Sequence, residues 1–229
     1  NRIDKDTTGL VVIAKCEYIQ ECLIKQMNDD SFIKEYIAIA RGLVDSSGVI
    51  DFPIARKDGS IIERCVDLVS GENAITNYVR LNYNPELDIS LVKCRLLTGR
   101  THQIRVHFAY IGYPLLGDSL YGIECGGSFN ALCGGFGNNG LFGGAGDSDD
   151  VIDLHDWIHG VVSAGVDLNG VMPGSLSVGV NKCDVEKSRA DLINHQALQS
   201  NRVCFIHPIS KKVIDICLKI DGIYKELFE

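Results

Sequence analysis

No apolar run in this 229-residue chain approaches the roughly 18 residues that a membrane-spanning helix needs, and no charged-then-apolar leader precedes the first periodic segment. Neither a membrane protein nor a secreted one is therefore expected. The first residue is Asn1, not Met, which leaves room for a lost leader, an organellar one included. CxxC spacing is absent as well. The nine cysteines are an odd number scattered along the chain, so neither a disulfide framework nor a zinc site is suggested. Reduced thiols in an intracellular, cytoplasmic setting fit best. No internal repeat is visible.

Positive charge is also short, with 22 Lys+Arg against 30 Asp+Glu and a formal net charge of −8. That balance argues against a nucleic-acid partner until it is divided along the chain. Residues 1–123 carry 14 basic and 16 acidic side chains, residues 124–191 carry 3 and 10, and residues 192–229 carry 5 and 4. Outside the middle stretch the chain is close to neutral and could bear a basic groove.

The middle stretch also holds 14 of the 24 glycines. It is expected to be an insertion, residues 124–191, outside a catalytic domain formed by residues 1–123 and 192–229. Its cluster Asp147, Asp149, Asp150, Asp153, His155, Asp156 and His159 matches no EF-hand loop or zinc motif, and a solvated acidic loop is the better reading.

What is present is strand-rich. Leu10 to Ala14 reads as a short strand covered on both faces. Glu17 to Asp29 has helical spacing, and KEYIAIARG at 34–42 alternates as a strand should. Further strands are expected near 48–52, 61–69, 74–81 and 89–96, and a hairpin near the end turns around Pro208 to Lys212. Short turns between most strands imply a mixed, mainly antiparallel sheet in an α+β fold. Residues 96–118 read as a strand end, a turn at Thr98-Gly99, and a helix with Thr101 as N-cap that stops at Gly112. Ile104, Phe108 and Ile111 form its apolar stripe, while His102, Arg105 and Ala109 share a different face.

Three polar constellations stand out: NRIDKDTTG before the first apolar run, the tyrosine of KEYIAIARG, and TGRTHQIR at the helix start. Each has a plain structural reading. Asp4 can be a turn former, Tyr36 a strand aromatic, and Arg100 with Arg105 a solvated face. A glycosidase pair of Asp4 and Asp6 is conceivable, but nothing else supports sugar binding. A phosphorylation loop of the ATPase type is set aside because the strand follows the aspartate.

In this order and spacing the three resemble the signatures of the RluA-type family of RNA pseudouridine synthases. NRIDKDTTGLVVIAK is similar to that family's HRLDxxTSG and following strand, with Asn1 in place of the usual His. KEYIAIARG resembles the second signature and LLTGRTHQIRVHFAYIGYPLLGDSLYG the third. ENAITNYVRL and QALQSNRVCFIHPIS also fit, although Gln199 stands where the family often has His. The resemblance implies a pseudouridine synthase catalytic fold whose N-terminal part is missing from this chain. It further implies isomerisation of uridine in structured ribosomal or transfer RNA by base detachment, rotation and rejoining through C5. Asp4 is then the catalytic carboxylate, Tyr36 stacks on the target base, and Arg105 is the cation that keeps Asp4 charged, with Arg100 the runner-up. Arg2, Arg100, His102 and Gln103 are implied to contact the RNA. No cofactor and no metal are implied, and a monomer is expected. The alternative is a catalytically impaired, RNA-binding relic of the same family.

Overall fold

The computed structural model describes residues 2–122 and 193–229. In chain order the elements are β1 (Thr8–Gly9), α1 (Glu17–Asn28), β2 (Ile33–Arg41), β3 (Ser47–Asp51), β4 (Ile54–Arg56), β5 (Arg64–Val66), β6 (Ile75–Asn84), β7 (Ile89–Leu96), α2 (Gln103–Tyr110), β8 (Leu198–Ile206), β9 (Val213–Cys217) and a short α3 (Gly222–Glu226). Seven strands form one sheet in the order β1-β8-β2-β7-β6-β3, with β9 also on β8, and β4 and β5 form a separate ribbon. Among the described residues only the β1–β8 pairing is parallel. The fold is α+β with a mixed, mainly antiparallel sheet. The insertion expected at 124–191, with its acidic cluster, lies outside the described residues.

β2 runs between β7 and β8, and core clusters packed on the two sides of the sheet bury its interior on both faces. Tyr36, Ala38 and Ala40 point to one side and join Tyr78, Val92, Cys94 and Leu198 with Ile104 and Phe108 of α2. Ile37 and Ile39 point to the other and meet Ile89, Leu91 and Leu116, with Tyr224 and Leu227 closing from the C-terminal end. Burying each such side chain is worth about 1.5–3 kcal/mol, so α2 is pinned to the first face by apolar contact. The face expected to be solvated on α2 is not: every residue from Gln103 to Ala109 is buried. His107 accounts for part of this, bridging Thr76 Oγ1 and the Phe52 carbonyl at 2.9 Å each.

Two local expectations are corrected. The N-cap of α2 is His102 in the left-handed region (φ 58°), not Thr101. No side chain caps the helix; Gln103 Oε1 instead braces the preceding turn, accepting from Arg100 N–H at 2.9 Å and from Thr98 O–H at 2.8 Å. Leu10 to Ala14 is not a strand covered on both faces. Leu10, Val12 and Ala14 pack with Leu23, Phe32, Val203 and Phe205, whereas Val11 stands out and Ile13 is 81% exposed. The cause is competition for one edge: β1 pairs with Gln199 and Ser200 of β8, and β9 takes the same edge from Arg202 to Ile206. The chain at Leu10 must peel away.

Where β1 docks, only glycine fits at position 9. Gly9 has φ +105°, and a Cβ there would lie 2.1 Å from the Ser200 carbonyl oxygen. Gly9→Ala should therefore cost about 1–3 kcal/mol from backbone strain and overpacking, read as a lower urea midpoint. An unchanged midpoint would show that the β1–β8 contact yields freely.

Candidate active site

The turn before β1 presents Asp4 at the rim of a cleft of about 1150 Å³, which Arg2, Tyr36, Arg100, His102 and Gln103 also line. The turn is fixed from two sides. Thr7 N–H donates to the Asp4 carbonyl at 3.1 Å, and the buried Gln196 amide donates to the Lys5 carbonyl and to Thr7 Oγ1. Ile3 packs into the core beside Tyr36. Backbone on both sides of Asp4 is thus anchored while its carboxylate stays partly exposed, at 21%.

Arg105 rises from the first turn of α2 toward that carboxylate. Its Nη1 lies 3.8 Å from Asp4 Oδ2. The stronger partner is Asp118, a residue that the sequence reading did not single out. Arg105 Nε donates to Asp118 Oδ2 at 2.7 Å and Nη2 donates to Oδ1 at 2.8 Å. This fork-to-fork geometry holds the guanidinium plane and leaves Nη1 aimed at Asp4. Burial alone would raise the Asp118 carboxyl, but Arg105 and the N–H groups of Tyr121 and Leu120 outweigh it and hold it below the usual range. Burial likewise opposes the Arg105 cation, and Asp118 first, then Asp4, more than restore it.

Tyr121 closes this side of the site. Its ring lies 4.9 Å from Arg105 Cζ, and its hydroxyl accepts from Arg64 N–H at 2.8 Å. The hydroxyl proton is then free for His102 Nδ1, also at 2.8 Å. Burial lowers the His102 pKa, with Asp4 opposing and Arg105 assisting, which favours the neutral ring.

Tyr36 is 6% exposed. Burial pushes its phenol up to about 12, opposed by a hydrogen bond with Ser200 and reinforced by the Asp4 charge. It is neutral at physiological pH and presents a ring face and an O–H, not a phenolate. Arg100, the runner-up for pairing with Asp4, is committed elsewhere: it ion-pairs with Glu72 and donates from Nε to the Asn73 carbonyl at 2.9 Å. Gln103 is buried, and its amide N–H groups go to the Ile75 carbonyl and Thr76 Oγ1. It braces the Thr98–Arg100 turn from beneath. Arg2 is exposed at the rim. Among the described residues no group of three or more His, Cys, Asp or Glu side chains is placed to hold a metal ion, and no helix is long and apolar enough to cross a membrane.

An anchored carboxylate facing a locked guanidinium, with a neutral tyrosine of β2 lining the same cleft, is a set of groups suited to nucleophilic or acid–base chemistry. Residues 1–110 match the family model described as RNA pseudouridylate synthase. Among curated proteins it is 44% identical over 125 residues to the uncharacterized RNA pseudouridine synthase YlyB of Bacillus subtilis, covering 53% of this chain and 40% of that protein. It is 43% identical over 125 residues to ribosomal large subunit pseudouridine synthase D of Zymomonas mobilis, covering 53% of this chain and 38% of the relative. The aligned part is thus about two fifths of the length of these relatives. Among solved structures, human RNA Pseudouridylate Synthase Domain Containing 1 and Domain Containing 4 share the fold. Their TM-scores are 0.59 and 0.57 at 18% and 22% identity, over 97% and 99% of this chain and 71% and 72% of theirs.

Proposed function

We propose that this protein isomerises uridine to pseudouridine in RNA, with large-subunit ribosomal RNA as the substrate class, and that it acts as an intracellular monomer. The observation that carries the reading is the Asp4–Arg105–Asp118 array, in which a fixed carboxylate faces Nη1 of a cation already held by a second carboxylate. The relatives named for the large ribosomal subunit support the choice of RNA.

A uridine inside stacked RNA hides C1′ and C5, so the nucleotide leaves the stack and enters the cleft. Arg2, at the rim, fills the gap it leaves. Tyr36 receives the base on its ring and keeps its proton. Asp4 either attacks C1′ and displaces uracil N1, or removes the C2′ proton as the C1′–N1 bond breaks, and both routes require its ionised form. Arg105 supports that form across 3.8 Å without neutralising it, because Asp118 takes the two stronger hydrogen bonds. Arg100 and His102 face the RNA from the far wall, and Gln103 positions the turn that carries Arg100. RNA labelled with tritium at uridine C5 tests the activity: the protein is expected to release tritium to water as pseudouridine forms. Binding without release would instead identify a catalytically impaired relic.

The catalytic domain is proposed to comprise residues 1–123 and 192–229. Its two parts approach closely: Ala197 N–H donates to the Leu116 carbonyl at 2.8 Å, and a Cβ on Gly117 would meet the His195 carbonyl at 2.3 Å. A short Gly/Ser linker from Gly122 to Leu192 should leave the melting temperature and tritium release near those of the full chain. Loss of folding in that variant would place the segment inside the domain.

A further inference from the structure

Lys34 and Lys93 are both buried in the main sheet, but they are provided for differently. Lys93 on β7 places Nζ 3.0 Å from Glu35, whose carboxylate Arg202 also approaches at 3.4 Å. Lys34 on β2 lies two residues from Tyr36 and lines the same cleft. It is 9% exposed, yet among the described residues no hydrogen bond or ion pair holds it, and Asp30 acts on it only through its field. Its ammonium sits against the Thr98–Arg100 turn, where a Cβ on Gly99 would lie 3.4 Å from Nζ. Burial pushes its pKa below the ordinary lysine value.

A buried ammonium without a counter-ion weakens a fold, and an apolar side chain of similar length would fill the space without that cost. The surroundings name what would compensate it. The cleft, at about 1150 Å³, exceeds the roughly 300–1,000 Å³ of pockets that enclose a whole drug-sized ligand, so it has room beyond one extruded nucleoside. Past Lys34 the wall carries an apolar patch of Ile13, Leu23, Ile24 and Met27, flanked by Gln20, Asn28 and Asp30. Arg100, on the neighbouring turn, is already tied to Glu72 and Asn73. A cation next to an apolar patch, beside the entry point of a flipped base, matches one further nucleotide: a phosphate and a base.

We propose that Lys34 binds a backbone phosphate of the RNA strand adjacent to the target uridine, with the patch of Ile13, Leu23, Ile24 and Met27 receiving the neighbouring base. This subsite rests on the pseudouridine-synthase reading above. The test uses the full chain with fluorescein-labelled oligouridylate as the binding probe, titrated at several salt concentrations, beside tritium release. Lys34→Met should weaken binding about tenfold, the loss expected for one charge-assisted contact. It should also reduce the magnitude of the slope of log K against log salt by about 0.7, the value for one phosphate on a single strand. Lys34→Arg should restore the slope, and the melting temperature of Lys34→Met should hold or rise. Lys34→Gln repeats the comparison if the methionine variant does not fold. A wild-type slope in Lys34→Met or Lys34→Gln, alone or with a lower melting temperature, overturns the subsite while the enzyme reading stands. A wild-type protein that neither binds the probe nor releases tritium overturns both.

Discussion

A purified Asp4→Asn protein is expected to fold, bind RNA and form no measurable pseudouridine. The substitution keeps the side-chain shape and leaves the Thr7 and Gln196 bonds that anchor the turn, because those bonds involve backbone and Thr7 rather than the carboxylate. It removes the charge, and with it both the nucleophile and the base that the two routes require. Losing a central catalytic group typically lowers turnover by about 10⁴–10⁶-fold, which places the residual rate below detection in a tritium-release assay. Stability should change little, since Asp4 is partly exposed and its Arg105 contact at 3.8 Å is long. Any sustained tritium release by this variant would remove Asp4 from the mechanism.

The second large effect is expected at Asp118, and there the loss should fall on folding as well as on chemistry. Asp118 is fully buried at its side chain and accepts four hydrogen bonds, two from Arg105 and two from backbone N–H groups. Asp118→Ala leaves the Arg105 cation buried with Asp4 as its remaining carboxylate, and breaking a buried pair in this way costs about 3–5 kcal/mol. Freed from its fork, the guanidinium loses its fixed plane and Nη1 its aim. Tritium release should fall even in the fraction that stays folded. The pH dependence carries the same signature. The folded carboxyl of Asp118 lies below its unfolded value of about 3.9, so its stabilisation is fully present above that value and is lost as pH falls through the folded one. Acid denaturation of the wild type should therefore include a limb that Asp118→Asn lacks. A urea midpoint and acid profile unchanged in both variants would show that Arg105 needs no second carboxylate.

Much of this architecture could be read from residue order, and the misses have identifiable physical causes. β2, β7 and α1 are long and periodic, and their expected bounds differ from the observed ones by about one residue, within the usual ambiguity of element ends. The run Leu10–Ala14 is equally apolar, but hydrophobicity does not say which sheet edge is free, and β9 had taken it. The choice between Arg100 and Arg105 was open in a motif that contains both. Glu72 and Asp118, distant from that motif's turn or just beyond its helix, decide which guanidinium faces Asp4. Asp118 itself sits in the stretch Gly117–Gly122, where an aspartate next to glycine reads as a turn former. Its role becomes visible only once α2 brings Arg105 against it. Gln196 and Ser200 are uncharged residues near or in a strand, and no local pattern marks them as supports for the Asp4 turn.

Those two residues also decide when the protein can begin to work. The Gln196 amide reaches Lys5 across 191 positions, and Ser200 Oγ donates to the Leu10 carbonyl across 190. Contacts of such sequence separation close late, because loop entropy must be met before they form. During synthesis the Asp4 turn emerges well before β8 and then waits, unsupported, until β8 has left the ribosome and docked. Newly made molecules should thus pass through a stage with α1, β2, β6 and β7 in place but no competent carboxylate. Premature termination between Gly122 and β8 should yield chains that hold all three signature motifs and no activity.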